Sequence, residues 1–278
     1  MSVTAEILTG GKPVPKIETL IPEGLEYGVY GENYVLKEAD GADSVIVFDP
    51  SCICRGICLE TLEDSVSLGL SSVTGASEIH LFYDMVRSIC KLFGTTVFKR
   101  EDAIVSLEQA DRFEEEDISS VRAGLDVMQM QLDSGEDTVT LLGALNPVEL
   151  DAADLKKIGG SAEELGKFLH EKQSVKAFYA SPRVFQDPKD GSLIGVYSVP
   201  CGMRTVMPRK PKAPLYLQEK VDRWIVYVYV SDEKYGYVEF ADFAAAVKDL
   251  GPYDAAHYLT QLDEQTAEKL IKEHPAKM

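Results

Sequence analysis

The chain has 278 residues, 45% of them hydrophobic, which suits one large domain or two of ordinary size and excludes a disordered tail. Its 46 acidic against 28 basic residues leave a formal charge of −18, which excludes general binding to nucleic acid or to an anionic membrane, because neutralising phosphate needs surplus cations. An acidic surface fits a soluble cytoplasmic protein, a basic protein partner, or plain colloidal solubility.

Residues 1–16 hold no basic leader followed by an apolar core, and no run of about eighteen apolar residues occurs, so neither secretion nor membrane spanning is expected. Five widely spread cysteines, an odd number, point to a reducing compartment rather than a disulfide framework.

In chain order, β-prone runs at 3–9 and 26–37 read as strands of a meander, with Gly31, Glu32 and Asn33 as a tight turn. Residues 44–48 form a compact strand ending at Asp49 and Pro50, and 55–62 can pair with an alternating strand at 65–69 around Glu63 and Asp64. After a polar turn, Ile79, Phe82, Val86, Ile89 and Phe93 recur at spacings of three and four, and Leu81, Met85 and Leu92 widen the stripe. A helix buried on more than one side is expected, capped by Thr74 or Ser77 and closed by a left-handed Gly94. Glu78, Asp84, Arg87 and Lys91 are left to mark its wet strip.

A short strand at 96–98 precedes a capping box, Ser106 with Gln109, and a helix reaching about Asp133 that carries Ile118, Val121, Leu125, Met128 and Leu132. Its run Glu114-Glu115-Glu116-Asp117 reads as a solvated face or as a site for cations or basic partners. A strand at 138–145 follows, then helices at 152–158 and 162–173, the second opened by Ser161 with Glu164. A strand at 176–180 leads to a hairpin bracketed by Ser181-Pro182-Arg183 and the turn at 187–191, with its return strand at 193–199.

The one basic stretch, 204–214, sets Arg204, Arg209, Lys210 and Lys212 among Pro208, Pro211 and Pro214, and reads as an extended linker or a docking segment for an acidic partner. Residues 223–230 are apolar on both faces and should be central in a sheet. Lys234-Tyr235-Gly236 is turn material before a strand at 237–240, and helices at 241–250 and 263–273 close the chain. Leu92-Phe93-Gly94 is echoed by Asp249-Leu250-Gly251, a match too short to establish duplication.

Cys52 and Cys54, with Cys58, are the only cysteine cluster; on a strand the first two would face one side, and zinc could recruit Cys90 or His80. The spacing lacks a second pair, so buried cysteines acting as small apolar side chains is the plainer reading. His80 and Asp84 lie four apart on one helix face, so the carboxylate could orient the ring for a cysteine nucleophile at 52, 54 or 90. His170-Glu171 begins like a zinc-protease helix but lacks the second histidine, and no phosphate loop, dinucleotide fingerprint or nucleophile elbow is present. Tyr179, Tyr197, Tyr235 and Tyr237 lie near turns and could form a recognition surface, although strand packing accounts for most tyrosines here.

The run from Asp64 to Asp102, with Leu81-Phe82-Tyr83 and Phe98-Lys99-Arg100-Glu101-Asp102, resembles a family of bacterial proteins known as domain of unknown function 4299, and so does Tyr179-Ala180-Ser181-Pro182-Arg183-Val184 with the hairpin to Tyr197. The resemblance implies a bacterial cytoplasmic protein and carries no catalytic residues to transfer.

The reading is therefore an α+β protein of antiparallel sheets with packed helices, in two lobes, 1–145 and 146–278. A non-enzymatic binding or regulatory protein is expected, immunity-like or inhibitor-like, with an acidic surface for a basic protein partner and with no catalytic, cofactor-binding or metal-binding residue assigned. The alternative is a hydrolase or transferase whose site gathers His80, Asp84, Arg183 and Tyr179. A subunit serving only assembly is the third possibility.

Overall fold

The computed structural model describes residues 2–31, 34–39, 41–215, 217 and 219–277, so the turn expected at Gly31-Glu32-Asn33 lies outside the described residues. The fold is α+β, and the chain divides into two compact units, Met1–Ser174 and Val175–Met278.

The first unit is built from strands β1 (Ser2–Leu8), β2 (Glu26–Tyr30), β3 (Leu36–Lys37), β4 (Ser44–Phe48), β5 (Ile57–Thr61) and β6 (Ser65–Ser71), helix α1 (Ala76–Phe93), and strands β7 (Val97–Arg100) and β8 (Ala103–Ser106). Helix α2 (Ala110–Asp133), strands β9 (Val139–Leu142) and β10 (Pro147–Leu150), and helices α3 (Ala152–Ile158) and α4 (Ala162–Gln173) complete it. The strands β1 to β8 make one antiparallel sheet in the order β3-β2-β4-β5-β6-β1-β7-β8. Alternation explains the sheet: in β6, Val66, Leu68 and Leu70 point into the core that Val45, Leu59, Ala5 and Ile7 share.

Helix α1 fills that core with Ile79, Phe82, Met85, Val86, Ile89 and Phe93, and it packs against α2 and α4 as well as the sheet. This is the many-sided burial its wide stripe requires. Its N-cap is Gly75 without a side-chain cap, so neither Thr74 nor Ser77 caps it, while Gly94 closes it at φ 70°. The Ser106–Gln109 capping box forms, on a short 3-10 turn that leads into α2. The unit extends past the expected boundary at Leu145, because β10 pairs with β9 and α4 packs on α1.

The second unit contains β11 (Phe178–Tyr179), β12 (Arg183–Gln186), β13 (Leu193–Pro200), β14 (Arg204–Pro208), β15 (Arg223–Ser231), β16 (Lys234–Glu239), α5 (Phe240–Ala246), β17 (His257–Gln261) and α6 (Glu264–Glu273). Strand β15 is internal in the four-stranded order β12-β13-β15-β16, with Val226 and Val228 against Phe243 and Leu270 and with Ile225 on the opposite face beside Ile194 and Val196. The sheets are mostly antiparallel, with exceptions: β13 runs parallel to β15, and β11 parallel to β14. In the β13–β15 pair, Gly195 leaves room for Trp224, since a methyl there would lie 2.2 Å from the indole, and Trp224 stacks on Tyr197 at 5.5 Å.

Three expectations change here. The basic stretch begins as a buried strand, not a linker: β14 is the middle strand of β11-β14-β17, with Thr205, Val206 and Met207 buried. Lys234 and Tyr235 belong to β16, so the turn falls one step earlier. Helix α5 ends at Ala246 rather than 250, because Val247 turns extended and Leu250 N–H bonds to Leu259 O of β17. Leu250 and Gly251 therefore do not repeat the helix end made by Phe93 and Gly94.

Candidate functional site

The charged residues of α1 and α2 face each other. Glu114 bonds His80 Nδ1 and accepts from Arg87 at 2.8 Å, and Arg87 also reaches Asp84 at 3.0 Å. Asp117 is buried, accepts from the Tyr83 hydroxyl at 2.6 Å and from Arg100 at 2.6 Å, and burial pushes its carboxyl above the usual range. The acidic run at 114–117 is thus not wholly solvated. The His80–Asp84 pair does not form, because each side chain has its partner elsewhere. Tyr179 and Arg183 lie in the other unit.

Glu78, expected on the wet strip, is 4% exposed. Its carboxylate accepts from the Thr74 hydroxyl, from Arg55 N–H at 3.2 Å and from Gly56 N–H at 2.6 Å. The Arg55 guanidinium turns instead to the carbonyls of Leu142 at 2.9 Å and Val73 at 3.2 Å. With no cation bonded directly to it, burial dominates and raises Glu78 above the usual carboxylate range. Burial likewise pushes the nearby Tyr30 hydroxyl up to about 12. Tyr30, Arg55, Gly56 and Cys58 line a cavity of about 280 Å³.

The loop between β4 and β5 carries the two close cysteines, and its backbone is tied on several sides. Asp49 Oδ1 accepts from Ser51 N–H at 2.7 Å, Ile53 N–H donates to His170 Nδ1 at 3.1 Å, and Cys54 O accepts from Gln173 Nε2 at 2.6 Å and from Ala144 N–H at 3.0 Å. Cys52 and Cys54 therefore sit in a bent loop, not on a strand as the zinc argument assumed. Cys54 is fully buried, where helices α1 and α4 approach backbone to backbone: a methyl on Gly75 would lie 2.6 Å from Cys54 Sγ and 2.7 Å from Gly166 Cα.

Cys52 is partly exposed, with Sγ 3.0 Å from Ser77 Oγ in the first turn of α1. The neighbouring Cys54 thiol, the Ser77 hydroxyl and the nearby His170 draw its pKa down to about 6, while the neighbouring Cys52 and burial push Cys54 up. Cys58 is apart on β5 with Sγ 3.6 Å from Ser44 Oγ, and Cys90 is buried. Among the described residues no three His, Cys, Asp or Glu side chains converge as a metal set. The spacing of Cys52 and Cys54 pointed to a thiol pair, but nothing in the sequence placed His170 beside it.

In the second unit His257 bridges a carboxylate and a phenol: its Nδ1 is 2.8 Å from Asp254 Oδ1 and its Nε2 3.3 Å from the Tyr179 hydroxyl. Asp254 Oδ1 also accepts N–H bonds from Ala256 at 2.9 Å and His257 at 2.8 Å, so it holds the turn that feeds β17. A satisfied structural network accounts for all three residues.

The family model described as Domain of unknown function (DUF4299) matches residues 12–270. The chain belongs to the DUF4299 family. No curated protein and no solved structure matches it. The family match runs through both units of the DUF4299 chain, and no helix among its described residues is long and apolar enough to cross a membrane.

One surface of this DUF4299 protein stands apart from the paired charges. On α2, Ala123, Val127 and Met130 follow helical spacing along the outward face, and Val127 and Met130 are 53% and 69% exposed. Glu115, Asp126 and Asp133 fall alongside them on one flank, all exposed. Within the chain Arg87, Arg100, Arg112, Arg209 and Arg223 each pair with a carboxylate.

Proposed function

We propose that this DUF4299 protein is a non-enzymatic binding or regulatory protein of the bacterial cytoplasm that masks a basic protein partner, in the manner of an inhibitor or immunity protein. The observation that supports the reading is the outward face of α2, where exposed Val127 and Met130 run beside the carboxylates of Glu115, Asp126 and Asp133. Apolar anchors flanked by more carboxylates than cations, with Arg122 one turn before Asp126, suit a partner segment with apolar side chains set among lysines or arginines. The charges govern encounter rate and selectivity, and the anchors supply affinity when covered. The net charge of −18 extends the same preference over the whole molecule.

The alternative enzyme assembled around His80 and Asp84 loses its orienting pair, since His80 bonds Glu114 and Asp84 bonds Arg87.

The test is affinity capture on immobilised full-length protein at low and high salt, run in parallel with Asp126→Lys/Asp133→Lys and Val127→Lys/Met130→Lys variants. A basic protein retained at low salt, released at high salt and lost from both variants is the expected result. Recovery of no basic protein at low salt, or equal recovery on the variants, overturns the reading.

A further inference from the structure

Two thiols close together in one loop, one reachable from solvent and one enclosed, are the minimum equipment for reversible thiol–disulfide exchange. Cys52 and Cys54 meet that description: they stand one residue apart in the loop between β4 and β5, Cys52 partly exposed and Cys54 fully buried. Around them the loop is clamped by His170 through Ile53 N–H and by Gln173 through Cys54 O, so the sulfurs are held on the first turn of α1, where Ser77 Oγ lies 3.0 Å from Cys52 Sγ. The N-terminal dipole of this 18-residue helix and the nearby imidazole favour negative charge on Cys52. The other cysteines lack this arrangement: Cys58 stands on β5 beside Ser44, Cys90 is enclosed in the core of the first unit, and Cys201 stands in the second unit with its thiol donating to Leu262 O at 3.3 Å.

We propose that Cys52 and Cys54 form a thiol–disulfide exchange site for low-molecular-weight disulfides, with Cys52 attacking and Cys54 resolving. In the first step the Cys52 thiolate attacks one sulfur of the disulfide; a Cys52–S bond forms, the disulfide bond breaks, and one thiolate departs and takes a proton from water. In the second, Cys54 gives up its proton and its sulfur attacks Cys52, displacing the second thiolate, which takes up a proton. The protein dithiol has then lost two electrons and two protons, and one disulfide has become two thiols. The inference is independent of the α2 face and of any basic partner.

The experiment uses the full chain reduced and then exposed to oxidised glutathione, quenched with a thiol alkylator and mapped by peptide mass spectrometry. Wild type should release two equivalents of glutathione and yield a peptide in which Cys52 and Cys54 resist alkylation. Cys54→Ser, and Cys54→Ala as a second variant against misfolding, should stop at a single glutathione on Cys52. Cys52→Ser should yield neither product. Time courses on wild type, which need no variant, compare Cys52 with Cys201, whose own thiol is raised by burial. At pH 6 a thiol titrating at about 6 should react about tenfold or more faster than one raised by burial, even after allowing for its lower intrinsic nucleophilicity, and its rate should level off above neutral pH. Equal rates at Cys52 and Cys201 at pH 6, or a wild-type mixed disulfide that never resolves, overturns the proposal.

Discussion

Replacing Glu78 by alanine tests whether its buried carboxylate is a structural keystone of the first unit. The side chain accepts from the Thr74 hydroxyl and from the backbone N–H groups of Arg55 and Gly56, and the substitution leaves all three donors without that acceptor. An orphaned buried donor costs about 1–3 kcal/mol, and relief from burying a charge returns part of the sum, so a net loss of about 3–5 kcal/mol is expected. That is a large share of the roughly 5–15 kcal/mol by which a domain is stable. Urea denaturation followed by far-ultraviolet circular dichroism reads it as a lower midpoint with an unchanged slope. Asp84→Ala, at the exposed end of the Arg87 pair, is the comparison and should stay within about 0.5 kcal/mol of wild type. A Glu78→Ala loss below about 1 kcal/mol would refute the view that this carboxylate organises the loop.

Because burial raises the Glu78 pKa, its stabilising contribution is fully present below the unfolded value of 4.5 and fades as pH rises through the folded value. Glu78→Gln, compared with wild type by denaturation at pH 4.5 and pH 7, should therefore look more damaging at the lower pH, and the opposite slope would contradict the stated direction. Gly75→Ala should cost about 1–3 kcal/mol, since its methyl would meet Cys54 Sγ and Gly166 Cα at 2.6 and 2.7 Å. Gly69→Ala, whose methyl finds only Cys58 Cβ at 3.4 Å, should be tolerated, and equal losses in the two midpoints would deny the tight approach of α1 and α4. Phe82→Ala, at a fully buried position, should lose about 3–5 kcal/mol and unfold the first unit; a stable variant with altered partner binding would place Phe82 in a site instead.

The helices were readable because their apolar positions repeat: α1, α2, α3 and α4 all lie where spacing puts them, although the N-cap of α1 is Gly75, without the side-chain cap expected of it. The same spacing also held a signal that residue type hid. Glu78 lies four positions before Phe82, and Asp117 four before Val121, so both occupy apolar stripes; assigning charge to solvent by type overrode the period. Short strands were harder. Strand β14 is hemmed by arginines and prolines, and β17 is five residues with His257 and Gln261 at its ends, so neither shows enough alternation to stand out, and only pairing between distant segments makes them strands. The thiol loop shows the same limit, because His170 reaches it from a helix more than a hundred residues later.

The hollow at Gly195 that admits Trp224 has a practical consequence. That indole is the only tryptophan in the chain, and it is lodged in the second unit against Tyr197. Its emission therefore watches one half of the molecule while staying blind to the other, and a melt recorded by fluorescence beside one recorded by helix content can tell whether the halves come apart together or in turn.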